Sequence, residues 1–268
     1  MIDILIFSKD RACQLDLLLT SIIDNFSEAN RVTIVCKTTT EKYMDGYMKL
    51  FGKYPQFSWV PESNLIEDIR SEINFSKTEY IMTMVDDEIV IRKDSVKPLL
   101  DNYTEEIHCA SLRMGKNIGD YCYTADLKCD IPELEKKGEV YKWDWTKGDG
   151  RTDWYYPACI NSHIYRTGFL MEQMYKIQGG NVNDMEGVLN LNRVNFKHYM
   201  LCLENSKTIN IANNLTQTGY NRHSNNKDFS LEELNSKFLQ GYVIDKNDFY
   251  KIKNDNATFE KDYNLIEL

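Results

Sequence analysis

The chain has 268 residues, 42% hydrophobic and 27% charged, enough for one large domain or a domain with a small extension. Its 32 basic and 41 acidic side chains leave a net charge of −9, which argues against a nucleic-acid binder, since that class presents a basic face to phosphates. No apolar run approaches the roughly 18 residues of a membrane span, the start shows no basic segment of a signal peptide, and 7 scattered cysteines without a C-x-x-C pair read as reduced thiols. The expectation is a cytoplasmic protein.

Residues 2–7 (IDILIF) are an apolar run of buried-strand type, followed by the polar loop Ser8-Lys9-Asp10-Arg11. Leu15, Leu18, Leu19, Ile22, Ile23 and Phe26 then recur at helical spacing. A second strand is predicted at 31–36, a second helix around 43–51 and a short third strand at 57–60. Asn64 and Glu67 read as a capping box opening a third helix that buries Leu65, Ile66, Ile69 and Ile73. Residues 79–85 read as a fourth strand. Such alternation predicts an α/β fold, a mostly parallel sheet flanked by helices on both faces.

The pattern then changes. A helix is predicted near 95–103 with Pro98 in its first turn, and a strand at 108–113. Residues 115–156 read as irregular, followed by a strand at 158–165 and helices at 167–177 and 184–197. Ser230 and Glu233 form a capping box ahead of Leu234 and Phe238. The division that follows is one domain over 1–204, with a first half at 1–113 and a second at 114–204, and a small C-terminal extension over 205–268 packed on it.

Ligands of open α/β sheets bind outside the carboxyl ends of the strands. Two polar clusters fall there, Ser8 to Arg11 after the first strand and Asp86-Asp87-Glu88 after the fourth. Three adjacent carboxylates repel one another, and a hard divalent cation such as Mg²⁺ or Mn²⁺ offsets that charge. The alternative is a solvated acidic turn. Arg11 and Arg70 are the candidate phosphate partners, by guanidinium geometry and by the helix that Arg11 opens, with surface salt bridges as the alternative for each. The chain has neither a P-loop nor a G-x-G-x-x-G after its first strand.

The segment ILIFSKDRACQLDLLLTSI and the run YIMTMVDDEIVI at 80–91 resemble GT-A fold glycosyltransferases, most closely the family-2-like nucleotide-diphospho-sugar transferases. The resemblance covers about residues 1–200. It implies Mn²⁺ or Mg²⁺ held against the donor diphosphate, with Asp86 touching the nucleoside or sugar, Asp87 ligating the metal, and Glu88 ligating directly or through water. Residues 157–166 (PACINSHIYR) resemble the later strand that lines the sugar, which casts Asn161, Ser162 and His163 as pocket residues. Asp184 takes the place of the catalytic base, with Glu186 as second choice; the alternative is that Asn183 to Glu186 simply cap a helix. The family's frequent carboxylate after the second strand is missing from Cys36-Lys37-Thr38-Thr39. Uracil would then be read by Asp10, Asp68 or backbone, or the donor would carry guanosine or thymidine.

Residues 143–156 gather Trp143, Trp145, Trp154, Tyr155 and Tyr156 with acids and Arg151. Trp154 and Tyr155 suit a sugar ring, and Gly148 and Gly150 a lid; ordinary aromatic packing is the alternative. His223 is a candidate to complete the metal shell, against an exposed histidine without a role. The function implied is a metal-dependent transfer of one sugar, with inversion, from a nucleoside-diphosphate donor to a hydroxyl of a glycan or lipid-linked acceptor. A UDP-sugar is favoured, within polysaccharide synthesis and with at most peripheral membrane contact. Two rivals are a sugar-phosphate nucleotidyltransferase, which usually has a glycine-rich loop where Ser8 to Arg11 has none, and a non-catalytic carbohydrate-binding protein on a degenerate transferase fold.

Overall fold

The computed structural model describes residues 1–214, 216 and 229–268. In chain order the first half runs β1 (Ile2–Lys9), α1 (Ala12–Asn25), β2 (Ala29–Lys37), α2 (Glu41–Lys53), β3 (Ser58–Pro61), α3 (Leu65–Phe75), β4 (Tyr80–Val85), β5 (Glu88–Val90), α4 (Lys97–Asp101) and β6 (Ile107–Gly115). Two short hairpin strands, β7 (Tyr121–Cys122) and β8 (Leu127–Lys128), precede β9 (Glu135–Lys137), β10 (Val140–Asp144) and β11 (His163–Arg166). Then come α5 (Thr167–Met174), α6 (Val182–Leu191), β12 (Tyr199–Leu203), β13 (Thr208–Ile211), α7 (Leu231–Leu239), β14 (Tyr242–Ile244), α8 (Asn247–Tyr250), β15 (Thr258–Phe259) and β16 (Leu265–Glu267).

The main sheet has 9 strands in the order β3-β2-β1-β4-β11-β6-β12-β10-β9. Strands β1 to β4 pair in parallel, β6 pairs in parallel with β12, and only β11 and β10 run against the rest. The expected mostly parallel α/β sheet is therefore present. Both of its faces are covered, which is why β1 is apolar almost throughout. Ile2, Ile4 and Ile6 join one core with α1, α2 and α7, while Leu5 and Phe7 point into the other with α3, α5 and α6. Strands β13 and β15 add to β5 a second, 3-stranded sheet in the order β15-β13-β5, in which Asn210 faces Glu88 across the ladder.

Some boundaries differ from the sequence reading. The Asn64 side chain accepts from Glu67 N at 3.3 Å, but the Asn64 amide goes to Asp68 at 3.0 Å, so only half of that capping box forms. The box of Ser230 and Glu233 is complete. The strand predicted at 158–165 forms no ladder over 158–162; Ser162 sits at φ +49 and the strand starts at His163. The stretch read as irregular contributes β10 to the main sheet, where Trp143 pairs in register with Met200. Among the described residues, no helix is long and apolar enough to cross a membrane.

Candidate active site

Strands β2 and β3 leave β1 on one side and β4 on the other, which makes the carboxyl ends of β1 and β4 a topological switch point. A cleft of about 540 Å³ opens there. Phe7, Val35, Leu65, Lys37 and Glu62 line its β2–β3 side. Asn161, Asp184 and Glu186 line the side toward β11, and Asn210, Ala212, Asn213 and Thr216 come from the chain after β12.

Where β4 ends, Asp86 N donates to Phe7 O at 3.2 Å, binding the acidic turn to β1. The Asp86 carboxylate accepts from Ser8 Oγ at 2.8 Å, Lys9 N at 3.0 Å and Arg11 Nη1 at 2.9 Å. Ser8 Oγ also lies 2.5 Å from the buried Tyr47 hydroxyl. Asp87 accepts from Arg11 Nη1 at 2.7 Å and from Asn210 Nδ2 at 2.5 Å. Burial alone would lower the Arg11 pKa, but Asp86 and Asp87 together hold the guanidinium above its ordinary value.

Several sequence assignments are corrected by this geometry. Arg11 borders the cleft, yet every one of its donors goes to protein: the two carboxylates and the carbonyls of Asn213 and Asn214. Arg70 does not line the cleft. It bonds Glu67 and the carbonyls of Met174 and Ile177, tying α3 to the end of α5. Asp10, at φ +59, accepts from Thr39 N at 2.8 Å and Thr39 Oγ1 at 2.9 Å; it joins the loops after β1 and β2 and does not line the cleft.

Glu88 is wholly buried and faces away, accepting from Ser162 Oγ at 2.6 Å and Val85 N at 2.9 Å. Burial pushes its pKa up to about 8, against the Ser162 and Val85 hydrogen bonds, which favours the neutral acid over the carboxylate. Ser162 is thus a support beneath the turn, and His163, 1% exposed with Nδ1 2.9 Å from Asn161 O, is a core residue. Only Asn161 of that trio borders the cleft. Trp154 packs edge-on against Trp143 at 5.2 Å and donates to Gly119 O, while Tyr155 covers Gly148 and donates to Asp130 O. Both are buried outside the cleft, so the aromatic segment is packing there. His223 lies outside the described residues.

The two base candidates differ in kind. Asp184 completes a capping box at the start of α6, its Oδ2 accepting from Asn181 N at 2.9 Å, and is exposed at the cleft rim. Glu186, one half-turn on, is half-buried and accepts from Ile160 N at 3.2 Å. Burial raises its pKa above the ordinary carboxylate value, opposed by the Ile160 N–H and by Arg113.

A hard divalent cation needs several oxygen ligands converging on one point. Each oxygen of Asp86 and Asp87 already accepts an N–H or O–H, and Glu88 is turned into the core. Among the described residues, no three His, Cys, Asp or Glu side chains gather for a metal. The residues present do not fit such a cation.

Sequence reasoning missed Lys9, Lys37, Glu62 and Asn210. Lys37 ends β2 and Glu62 directly follows β3, their charged groups 2.6 Å apart, and Glu62 N donates to Cys36 O. Glu62 therefore puts a carboxylate beside the loop that has none of its own; its place after the third strand was a usable signal. Asn210 had none, because its role depends on the pairing of β13 with β5.

Fold and cleft define an α/β protein with an open cleft at the strand ends, and the chain is similar in sequence to a glycosyltransferase. It is 27% identical over 183 residues to the bifunctional glycosyltransferase pgtA of Dictyostelium discoideum, a match covering 62% of this chain and 24% of that protein. The chain thus spans about a quarter of that relative's length. No family model matches. Among solved structures, S. aureus TarS 1–349 in complex with UDP aligns with a TM-score of 0.46 and 12% identity, over 76% of this chain and 58% of that one. A cytidylyltransferase from Leptospira borgpetersenii aligns with a TM-score of 0.42 and 13% identity, over 77% and 76%.

Proposed function

We propose that the protein is a glycosyltransferase that moves a sugar from a nucleoside-diphosphate donor, a UDP-sugar in the first instance, to a hydroxyl of a glycan or lipid-linked acceptor. The observation that carries this reading is the cleft itself: the Asp86-Asp87 turn at the end of β4 and the half-buried Glu186 border one space large enough for such a donor. The similarity to pgtA supports it. The nucleoside lies on the β2–β3 side, its base against Val35 and Leu65 with Glu62 and Lys37 as polar partners. Lys9 has three ammonium donors and gives one to Thr216 O, so it is the group that meets the diphosphate.

Glu186 rather than Asp184 is the base in this reading, because a carboxylate with a raised pKa accepts a proton better near neutrality. The acceptor O–H proton passes to Glu186, the oxygen bonds the anomeric carbon from the side opposite the diphosphate, and the C–O bond to phosphate breaks with its electron pair. The anomeric centre inverts. The protein works in the cytoplasm, with at most peripheral contact to a membrane carrying the acceptor.

Thermal shift with UDP, GDP, CDP and dTDP tests the donor site. A nucleotide at a hundred times its Kd adds about 2.7 kcal/mol, read as a rise of a few degrees in melting temperature. Stabilisation by one nucleotide supports the reading and names the donor class. A chain that melts cooperatively and is stabilised by none overturns it.

A further inference from the structure

Arg11 lies in a cage of oxygen atoms. Its guanidinium donates to Asp86 Oδ1 (2.9 Å), Asp87 Oδ2 (2.7 Å), Asn213 O (3.1 Å) and Asn214 O (2.6 and 3.1 Å). Two are carboxylate oxygens and two are backbone carbonyls, the ligand types that hard divalent cations take. The residue is 7% exposed, and Asp86 is 4% exposed. A buried carboxylate, Asp86, beside the partly buried Asp87 needs compensating charge, and Arg11 brings it on a fork whose planar geometry matches several oxygens at once.

We infer that Arg11 is the resident cation of the Asp86–Asp87 pair, filling the oxygen cage that a divalent metal would otherwise occupy, so that the free protein takes up no such ion at this turn. The remaining carboxylate oxygens leave no opening beside it. Asp86 Oδ2 is held by Ser8 and the Lys9 amide, and Asp87 Oδ1 by Asn210. Removing the guanidinium leaves two carboxylates and two carbonyls facing one another, a set with its charge uncompensated and its oxygens already converging.

The test is Mn²⁺ uptake by the full chain without nucleotide, read as loss of the free-ion signal in electron paramagnetic resonance. It is therefore decided apart from the transfer reading. Wild type is expected to leave the signal unchanged. Arg11→Ala is expected to take up one equivalent, and Arg11→Ala combined with Asp87→Asn none, each variant being checked for a cooperative melt. One equivalent bound by wild type and lost in Asp87→Asn overturns the inference. So does a folded Arg11→Ala that binds nothing, since the guanidinium would then not be what fills the cage. If Arg11→Ala does not fold, the comparison of wild type with Asp87→Asn still decides between the resident guanidinium and a bound metal.

Discussion

The Ser162 hydroxyl donates to the Glu88 carboxyl at 2.6 Å, linking the loop before β11 to the first residue of β5. Both side chains are wholly buried, so the third acid of the run 86–88 belongs to the core and the first two to the cleft. Ser162→Ala leaves one Glu88 oxygen without its donor. The expected cost is about 1–3 kcal/mol, measured by urea unfolding, with nucleotide affinity changed less than twofold. A large loss of nucleotide affinity at unchanged stability would put Ser162 in the cleft after all.

Lys207 is 0% exposed and donates to the carbonyls of Asn25, Arg92 and Asp94 at 2.6–2.8 Å. Burial lowers its pKa to about 8, against the pull of Glu28 and Asp94. It anchors the chain before β13 to the end of α1. Lys207→Met keeps the stem and removes three charge-assisted bonds, one to a buried carbonyl and two to partly buried ones. We expect a loss of about 3 kcal/mol or more, read as a drop on the order of 10 °C in melting temperature.

Glu186→Gln is expected to lower kcat by roughly 10²–10⁴-fold, with nucleotide binding retained. Asp184→Asn weakens the helix cap by about 1 kcal/mol and keeps most of the turnover. The acidic limb of the wild-type rate profile should lie above the ordinary carboxylate range, because burial raises Glu186, and should vanish in Glu186→Gln. A greater loss in Asp184→Asn would return the base to that residue.

Gly180 sits at φ +111, and a Cβ there would lie 2.6 Å from Asp184 Cβ. Gly180→Ala combines a disfavoured backbone with a clash against the cap. The expected loss is about 1–3 kcal/mol, and because α6 carries Glu186, kcat should fall as well. Unchanged stability in an unfolding titration would show that the cap tolerates the methyl.

His108 is buried, stacked on Phe196 at 4.2 Å with Nε2 3.1 Å from Pro157 O, and burial lowers its pKa to about 3. The folded state keeps it neutral while the unfolded chain protonates it near its ordinary value. This contribution is complete above about pH 6.5 and is lost as pH falls toward 3. At pH 5 the loss is roughly 2 kcal/mol. His108→Gln should flatten the fall in melting temperature between pH 6.5 and 5, relative to wild type.

Much of the frame was legible because local pattern and tertiary need coincide. The stripe Leu15 to Ile22 and the runs 2–7 and 79–85 are apolar at the period of the element they form and face a core there. The acidic turn was found by its place after an apolar strand. What the sequence withheld were partners distant in the chain. Arg11 carries the same charge whether it meets a phosphate or Asn213 and Asn214, some two hundred residues on. Trp154 has the same ring whether it faces a sugar or Trp143. Arg70 was misplaced for a similar reason: nothing local reveals that the end of α5 supplies its carbonyl acceptors.

The pairing of β13 with β5 also sets an order of assembly. During synthesis the strands of the first half emerge first and can associate as a unit. Until residues 208–214 follow, β5 has no partner along the edge that β13 later occupies, and Arg11 lacks its two carbonyl acceptors. A chain cut at 204 would keep that edge open, a template for pairing with other chains. The later segment therefore acts as a seal on the earlier one, and its loss should show first as aggregation.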